Sequence, residues 1–145
     1  MLKINYSTDL SSKTYQDALS IRKEVFIKEQ NVEPDIEIDG EDSCTHVTIY
    51  MDGTPAGTAR YYPTDDNGVH IQRVAVLKDF RHQGIASILL KDIIDKVTKE
   101  DYHYVILGAQ DHAQDFYIQL GFKVIGEQYR EAGILHHDME LILQE

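Results

Sequence analysis

The residues with the clearest chemical meaning are Arg81, Gly84 and Ala86, which follow the apolar run at 74–76. This order predicts a strand, a short connection and the start of a helix. The first N–H groups of a helix lack intrahelical partners, and the helix dipole is positive at that end, so the position suits a phosphate. Gly84 and Ala86 leave room for close approach of a pyrophosphate, and Arg81 adds positive charge. The alternative is a tight turn in which Gly84 only supplies backbone freedom.

Two other groups of residues contain side chains that could bind a metal or act as a nucleophile. His136-His137-Asp138 contains metal-ligand types, but adjacent residues of a strand point to opposite faces and rarely bind one ion, so we expect no metal. Cys44 is the single cysteine, and no partner for an acyl-carrying thiol is evident in the sequence. One cysteine also excludes an intrachain disulfide, which fits a cytoplasmic protein.

The elements that must position these residues follow from apolar periodicity and turn signals. We predict strands at 2–6, 45–51, about 56–62, 69–77, 104–107, 122–125 and 134–143. We predict helices from Ser11 or Ser12 to about Gln30, over 84–99, and over 111–120. The first helix has a predicted apolar face at Tyr15, Ala18, Leu19, Val25 and Phe26. The second is predicted to bury Ile85, Ile88, Leu89, Ile93 and Val97. The order β-α-β-β-β-α-β-α-β-β predicts an α/β fold with a mixed central sheet flanked by helices.

Composition narrows the classes of function. The chain has 145 residues, which suits a single domain over 1–145, and 42% are hydrophobic. Lys plus Arg is 14 and Asp plus Glu is 25, so the formal charge is 14 − 25 = −11. An acidic chain is poorly suited to nucleic acid or to an anionic membrane surface. The first residues lack the apolar core of a signal peptide, and no apolar run approaches the roughly 20 residues of a membrane span.

Two segments of the chain resemble a known family. Arg81-x-x-Gly84-x-Ala86 resembles motif A of the GNAT acetyltransferases. The motif B signature of the same superfamily is similar to Ala113-Gln114-Asp115-Phe116-Tyr117-Ile118-Gln119-Leu120-Gly121-Phe122. Further matches indicate the ElaA/YjcF-like branch: Arg22-x-x-Val25-Phe26-x-x-Glu29-Gln30, Asp39…Asp42…His46, Gly57-Thr58-Ala59-Arg60, Gly108-Ala109-Gln110 and Glu131-x-Gly133-Ile134-x-His136-x-x-Met139.

The resemblance implies a single GNAT domain with acetyl-CoA as co-substrate. It places the pantetheine arm beside Val74, Ala75 and Val76, paired with exposed strand backbone. The alternative for Val74 and Val76 is ordinary core packing, and both can hold. It places the pyrophosphate on what we call the phosphate loop: Arg81, His82, Gln83, Gly84, Ile85, Ala86 and Ser87.

Acyl transfer from a thioester to an amine needs a proton acceptor, an oxyanion partner and a proton donor for the thiolate. The resemblance assigns the oxyanion to a backbone N–H near Val76 and the proton donor to Tyr117, for which a packed aromatic is the alternative. Glu29 and His46 are candidate bases, with a solvated helix end and a structural histidine as the alternatives. His136 is a third candidate.

The charge of the acceptor is predicted from an acidic stretch. It contains no Lys or Arg and seven carboxylates: Glu29, Glu33, Asp35, Glu37, Asp39, Glu41 and Asp42. Since a cleft of one sign attracts the other, a cationic acceptor is expected, either a small-molecule amine or a lysine side chain. The alternative for the stretch is a solvated surface loop, and the alternative acceptor is an aminosugar phosphate held by Arg60, Arg73 or Arg130. The alternatives for the function as a whole are transfer of a longer acyl group and a non-catalytic acyl-CoA sensor. A homodimer is left open.

Overall fold

A computed structural model describes residues 1–30, 43–131 and 133–143. The strands are β1 (Leu2–Ser7), β2 (Thr45–Met51), β3 (Thr54–Pro63), β4 (Gly68–Val76), β5 (Tyr104–Gln110), β6 (Lys123–Glu131) and β7 (Ile134–Ile142). The α-helices are α1 (Lys13–Arg22), α2 (Ile85–Lys99) and α3 (Gln114–Gln119). A π-helix at Lys23–Glu29 follows α1, and short 3₁₀ turns lie at Lys78–Phe80 and Asp111–Ala113. The predicted order of elements and the α/β class are confirmed.

The chain forms two compact units. The first comprises Met1–Tyr62 and Arg73–Leu90, and the second Pro63–Gln72 and Lys91–Glu145. Pairing within the first unit is antiparallel from β1 to β2 and from β2 to β3, with β4 next to β3. Pairing within the second is parallel from β4 to β5 and antiparallel from β5 to β7 and from β7 to β6. These pairs make the predicted mixed sheet, while the assignment of 1–145 to one domain stays a prediction.

The first helix begins where its cap is predicted and changes type before its predicted end. The Ser12 side chain accepts the Tyr15 N–H at 3.1 Å, as an N-cap does. The α-helix ends at Arg22, and the chain continues as a π-helix, a rare form associated with functional sites. The predicted extent of the helix, to about Gln30, is confirmed, and its last turns are of the π type. In place of the predicted Leu19, which is half-buried, Ile21 and Arg22 are buried.

Helix α1 and the π-helix pack on the first unit. Thr48 Oγ1 donates to the Thr14 carbonyl at 2.9 Å, and the Tyr50 hydroxyl donates to Asp17 Oδ2 at 2.6 Å, so both residues of β2 hold α1. An apolar cluster joins the two helical segments to the end of β4. Its members are Ile21, Val25, Phe26 and Ala75, with Leu77 packed against them. Burial of this cluster fixes the end of β4, where the phosphate loop begins.

Helix α2 matches its predicted bounds to within a residue, and four of the five residues predicted to be buried are buried. Ile88 was predicted to be buried and is 40% exposed, whereas Leu90 is fully buried. The buried positions are Ile85, Leu89, Leu90, Ile93 and Val97. None of the helices in the described part of the chain combines the length and apolar character required to cross a bilayer.

The sheet of the second unit has two different faces. One face of β5 and β7 is buried and apolar: Val105, Leu107, Ala109 and Met139. The opposite face carries polar residues, since Gly108 is paired with Asp138 and Gln110 with His136. Strand β6 is longer than predicted. It reaches Glu131 through a bulge between Ile125 and Tyr129, so Tyr129 lies opposite His136.

Candidate active site

The phosphate loop is held in an unusual backbone conformation. After the 3₁₀ turn, Arg81 is extended, His82 has a φ of 64° and Gly84 has a φ of +77°. The first i to i−4 hydrogen bond of α2 runs from the Ile88 N–H to the Gly84 carbonyl at 3.1 Å. The amides of Ile85, Ala86 and Ser87 therefore precede that bond at the positive end of the helix dipole, as anion binding requires.

Gly84 is needed for its backbone angle and not for space. A Cβ at this position would meet nothing within 4 Å, but its left-handed φ disfavours any other residue. His82 adopts a similar φ with a side chain, which costs about 1–2 kcal/mol. Strain of this kind is concentrated at ligand sites.

The Arg81 side chain is bound within the protein. Its Nε donates to the Val76 carbonyl at 2.8 Å, and its two terminal nitrogens donate to Glu29 at 3.0 and 2.8 Å. This bidentate pair joins the phosphate loop to the end of the π-helix. Both side chains are about one-third exposed, at 33% and 35%, so solvent screens the pair and its contribution to stability is at most about 1 kcal/mol.

The predicted pantetheine strand follows a break in β4. Parallel pairing with β5 covers Gly68–Ile71, and Arg73 has a φ of 55°, outside the strand region. Ala75 is 5% exposed and belongs to the apolar cluster, whereas Val74 and Val76 are half-buried. Val76 packs against Gly57, where a Cβ would lie 3.3 Å from Val76 Cγ2. Core packing therefore accounts for the Ala75 side chain. It does not involve the backbone N–H and C=O groups of 74–76, to which the pantetheine prediction refers.

The two predicted bases have different surroundings in the first unit. The Glu29 carboxylate is accessible and accepts both hydrogen bonds from Arg81. The His46 side chain is 0% exposed, and its ring meets the Tyr15 ring edge-on at 4.8 Å between centroids. Glu29 and the phosphate loop are thus in contact. The other members of the predicted acidic stretch, from Glu33 to Asp42, lie outside the described residues.

Tyr117 belongs to the second unit. It lies on α3, it is 8% exposed, and its ring contacts those of Phe116 and Phe122 edge-on at 5.0 and 5.8 Å. Burial raises the pKa of the Tyr117 hydroxyl well above its usual value, because the charged phenolate would be desolvated. The group therefore keeps its proton at neutral pH.

A polar cluster in the second unit was not predicted from the sequence. His137 Nδ1 donates to Asp111 Oδ1 at 2.8 Å, and Gln128 donates to Asp111 Oδ2 at 2.6 Å. These hydrogen bonds hold the pKa of Asp111 below its usual value, and the bond from His137 has the larger effect. Asp111 and His137 are 26 residues apart, so only the fold brings them together. No group of three or more metal-ligand side chains is present among the residues that the structure describes.

A mixed sheet in which a strand leads through a loop into the open amides of a helix suits a protein that binds a phosphate-bearing ligand. Residues 9–143 match the family model of the acetyltransferase (GNAT) domain. The N-acetyltransferase YjcF of Bacillus subtilis, itself uncharacterised, is 36% identical over 86% of this chain and 89% of its own.

Two solved structures agree with this family. Escherichia coli ElaA has a TM-score of 0.83 and 31% identity, covering 97% of this chain and 99% of its own. An acyl-CoA N-acyltransferase of Pseudomonas aeruginosa has a TM-score of 0.85 and 29% identity, covering 97% and 99%. The chain belongs to the GNAT acetyltransferase family, in its ElaA/YjcF-like branch, and its class of activity is acetyl-CoA-dependent N-acetyl transfer.

The left-handed residues of the phosphate loop give a prediction for stability. Gly84→Ala should lower the free energy of unfolding by about 1 kcal/mol, because its Cβ is strained although it meets no atom. His82→Gly is the matched change at the neighbouring left-handed position and should not lower stability, since it relieves the same strain. Urea unfolding measures both. Equal losses in the two variants would contradict a conformational origin.

Proposed function

We propose that this protein transfers an acetyl group from acetyl-CoA directly to a primary amine while both substrates are bound. The observation that carries the proposal is the phosphate loop, in which left-handed His82 and Gly84 precede the open amides of α2. The residues for the pyrophosphate are the backbone of 81–86, with Ser87 nearby. A conformation that costs free energy and exposes amides is suited to an anionic ligand.

The pantetheine arm is proposed to pair with the backbone of Val74, Ala75 and Val76. The support is that the pairing of β4 with β5 covers Gly68–Ile71 and that Arg73 then leaves the strand conformation. A chain of amides can add to such a strand segment by backbone hydrogen bonds. The Val76 N–H is proposed to donate to the oxyanion.

The proposed reaction consumes one amine and one thioester. A base removes a proton from the ammonium form, and the amine nitrogen then attacks the thioester carbonyl carbon. This attack forms the C–N bond and a tetrahedral intermediate that carries an oxyanion. The nitrogen then loses its second proton to solvent, the carbonyl re-forms, and the C–S bond breaks so that the thiolate leaves with the bonding electron pair. Tyr117 gives its proton to the thiolate and regains one from solvent. Burial raises the pKa of the Tyr117 hydroxyl, so the group holds a proton at neutral pH that it can donate.

Exposure favours Glu29 over His46 as the base. A base must reach the substrate proton within hydrogen-bond distance, and His46 is fully buried whereas Glu29 is accessible. Arg81 holds both Glu29 oxygens in a fixed position, which orients the carboxylate. The acceptor is proposed to be cationic, as an amine or a lysine side chain.

Cofactor binding tests the proposal directly. Acetyl-CoA should raise the melting temperature of the wild-type protein by mass action, since it binds the folded state. Gly84→Glu should abolish this increase because a carboxylate would face the pyrophosphate, whereas Gly84→Ala, which shares the backbone strain, should keep most of it. An unchanged melting curve of wild type at millimolar acetyl-CoA would contradict the proposal. Binding without turnover of any amine would instead identify a sensor.

Tyr117→Phe tests the proton donor. The variant keeps the ring contacts with Phe116 and Phe122 and loses only the hydroxyl. Its kcat should fall by about 10²–10⁴-fold with little change in affinity for acetyl-CoA. Steady-state kinetics and a binding titration measure the two quantities. A wild-type kcat would reassign Tyr117 to packing.

The pH dependence of kcat/KM tests the base. Because a base acts only when deprotonated, activity should fall as pH falls through its pKa and give an acidic limb. Glu29→Gln should remove that limb if Glu29 is the base, and His46→Asn should leave it in place. Loss of the limb in His46→Asn alone would reverse the assignment. A limb in both variants would place the base elsewhere.

A further inference from the structure

The polar face of the second unit contains a connected set of side chains, which we call the Tyr129 cluster: Tyr129, His136 and Asp138. The Tyr129 hydroxyl donates to Asp138 Oδ1 at 2.7 Å. The Tyr129 and His136 rings are stacked, with 5.7 Å between centroids and 18° between planes. His136 Nδ1 donates to the Ile134 carbonyl at 2.8 Å, and His136 as a whole residue is 6% exposed. Tyr129 of β6 is paired with His136 of β7, and Asp138 lies two residues further along β7, on the same face as His136.

Gly108 is required for this arrangement. Gly108 lies on β5 and is paired with Asp138 of β7. A Cβ at position 108 would lie 2.3 Å from the Tyr129 hydroxyl. No real Cβ makes so short a contact, so any side chain there would move the hydroxyl away from Asp138. The absence of a side chain at Gly108 thus seats the Tyr129 hydroxyl beside that carboxylate.

The Tyr129 cluster engages one of the two oxygens of the Asp138 carboxylate. Asp138 Oδ1 accepts from Tyr129, whereas Oδ2 has no hydrogen-bond partner among residues 1–30, 43–131 and 133–143. Burial and the Asp138 carboxylate both raise the pKa of Tyr129, so its hydroxyl remains a donor and Asp138 remains the acceptor. Asp138 is half-buried as a residue, and its second oxygen can accept a hydrogen bond from a charged donor of a ligand.

The charges on the same face have mostly one sign. Glu131 Oε2 lies 3.8 Å from His136 Nε2, and its side chain is 51% exposed. Glu140 follows Asp138 by two residues, so its side chain projects from the same face, opposite Lys123 of β6. His70 of β4 lies across from Ile106 on this face as well. Three carboxylates therefore face one lysine, and a cation is the ligand that this field attracts.

We propose that the Tyr129 cluster binds the ammonium group of the acceptor, with Asp138 as its ion-pair partner. The proposal rests on the proposed function and names the part of the site that selects a cationic acceptor. Tyr129 fixes the rotamer of Asp138, and His136 fixes the Tyr129 ring; both act as positioning residues. This gives a role to Gly108 and Glu131, which match the ElaA/YjcF-like pattern without an assigned task, and it makes His136, a candidate base in the sequence, a positioning residue.

Asp138→Asn tests the ion pair in the full chain. With acetyl-CoA and a panel of n-propylamine, putrescine, spermidine and glucosamine 6-phosphate, thiol release gives KM and kcat for each amine. Asp138→Asn keeps the shape of the side chain and removes its charge. It should raise the KM for the preferred cationic amine about 10–100-fold, with the acetyl-CoA-induced increase in melting temperature unchanged. Asp115→Asn, at an exposed carboxylate of α3, is the control and should leave KM unchanged.

Two further variants distinguish positioning from general destabilisation. Tyr129→Phe and Gly108→Ala should raise the same KM by similar factors, because each removes the hydroxyl from Asp138. Tyr129→Phe combined with Gly108→Ala should add little to either, since both act on one contact. Wild-type KM in Asp138→Asn, or preference for glucosamine 6-phosphate over every cationic amine, would overturn the inference while leaving acetyl transfer established. Absence of turnover in wild type would instead count against the proposed function.

Discussion

The geometry of the phosphate loop depends on the Arg81 side chain. Its guanidinium spans the Val76 carbonyl at the end of β4 and the Glu29 carboxylate at the end of the π-helix. Without such a link, a loop that contains two left-handed residues would have few contacts to hold it, because His82 and Gly84 are both exposed. The Arg81 side chain thus holds the connection between β4 and α2 in place through the Val76 carbonyl and the Glu29 carboxylate. Its planar fork suits this task, since it can satisfy a carbonyl and a carboxylate at once.

This use of Arg81 changes how the loop attracts an anion. Glu29 balances much of the guanidinium charge, and three N–H donors of Arg81 are already engaged. The remaining attraction comes from the amides and the dipole of α2, which depend on backbone geometry and not on a side chain. The sequence interpretation of Arg81 as a charge for the pyrophosphate is therefore incomplete. The same contact brings Glu29 to the loop, so one ion pair positions a candidate base and a candidate cofactor site together.

The sequence predicted those features that depend on neighbouring residues. Ser12 was recognisable as a cap, and the apolar spacing of α2 gave its bounds, although the exposed Ile88 shows that spacing alone does not tell which residues are covered. The π-helix has no local signature, because its side chains resemble those of an α-helix. The pair of Arg81 with Glu29 spans 52 residues, and no short-range rule predicts it. Strand β6 was predicted too short because Gly126 and the polar residues after it interrupt the alternation at a bulge.

The bulge in β6 also determines how the polar face of the second unit is built. By shifting the register between Ile125 and Tyr129, it brings Tyr129 opposite His136. Alternation along β7 then directs His137 to Asp111 on one face and His136 and Asp138 to Tyr129 on the other. The adjacent histidines, which could suggest a shared metal ion in the sequence, thus enter two separate hydrogen-bonded groups. Alternation along β7 therefore separates the pair of His137 with Asp111 from the pair of Tyr129 with Asp138, and the two extra residues of β6 at the bulge place the Tyr129 ring beside His136.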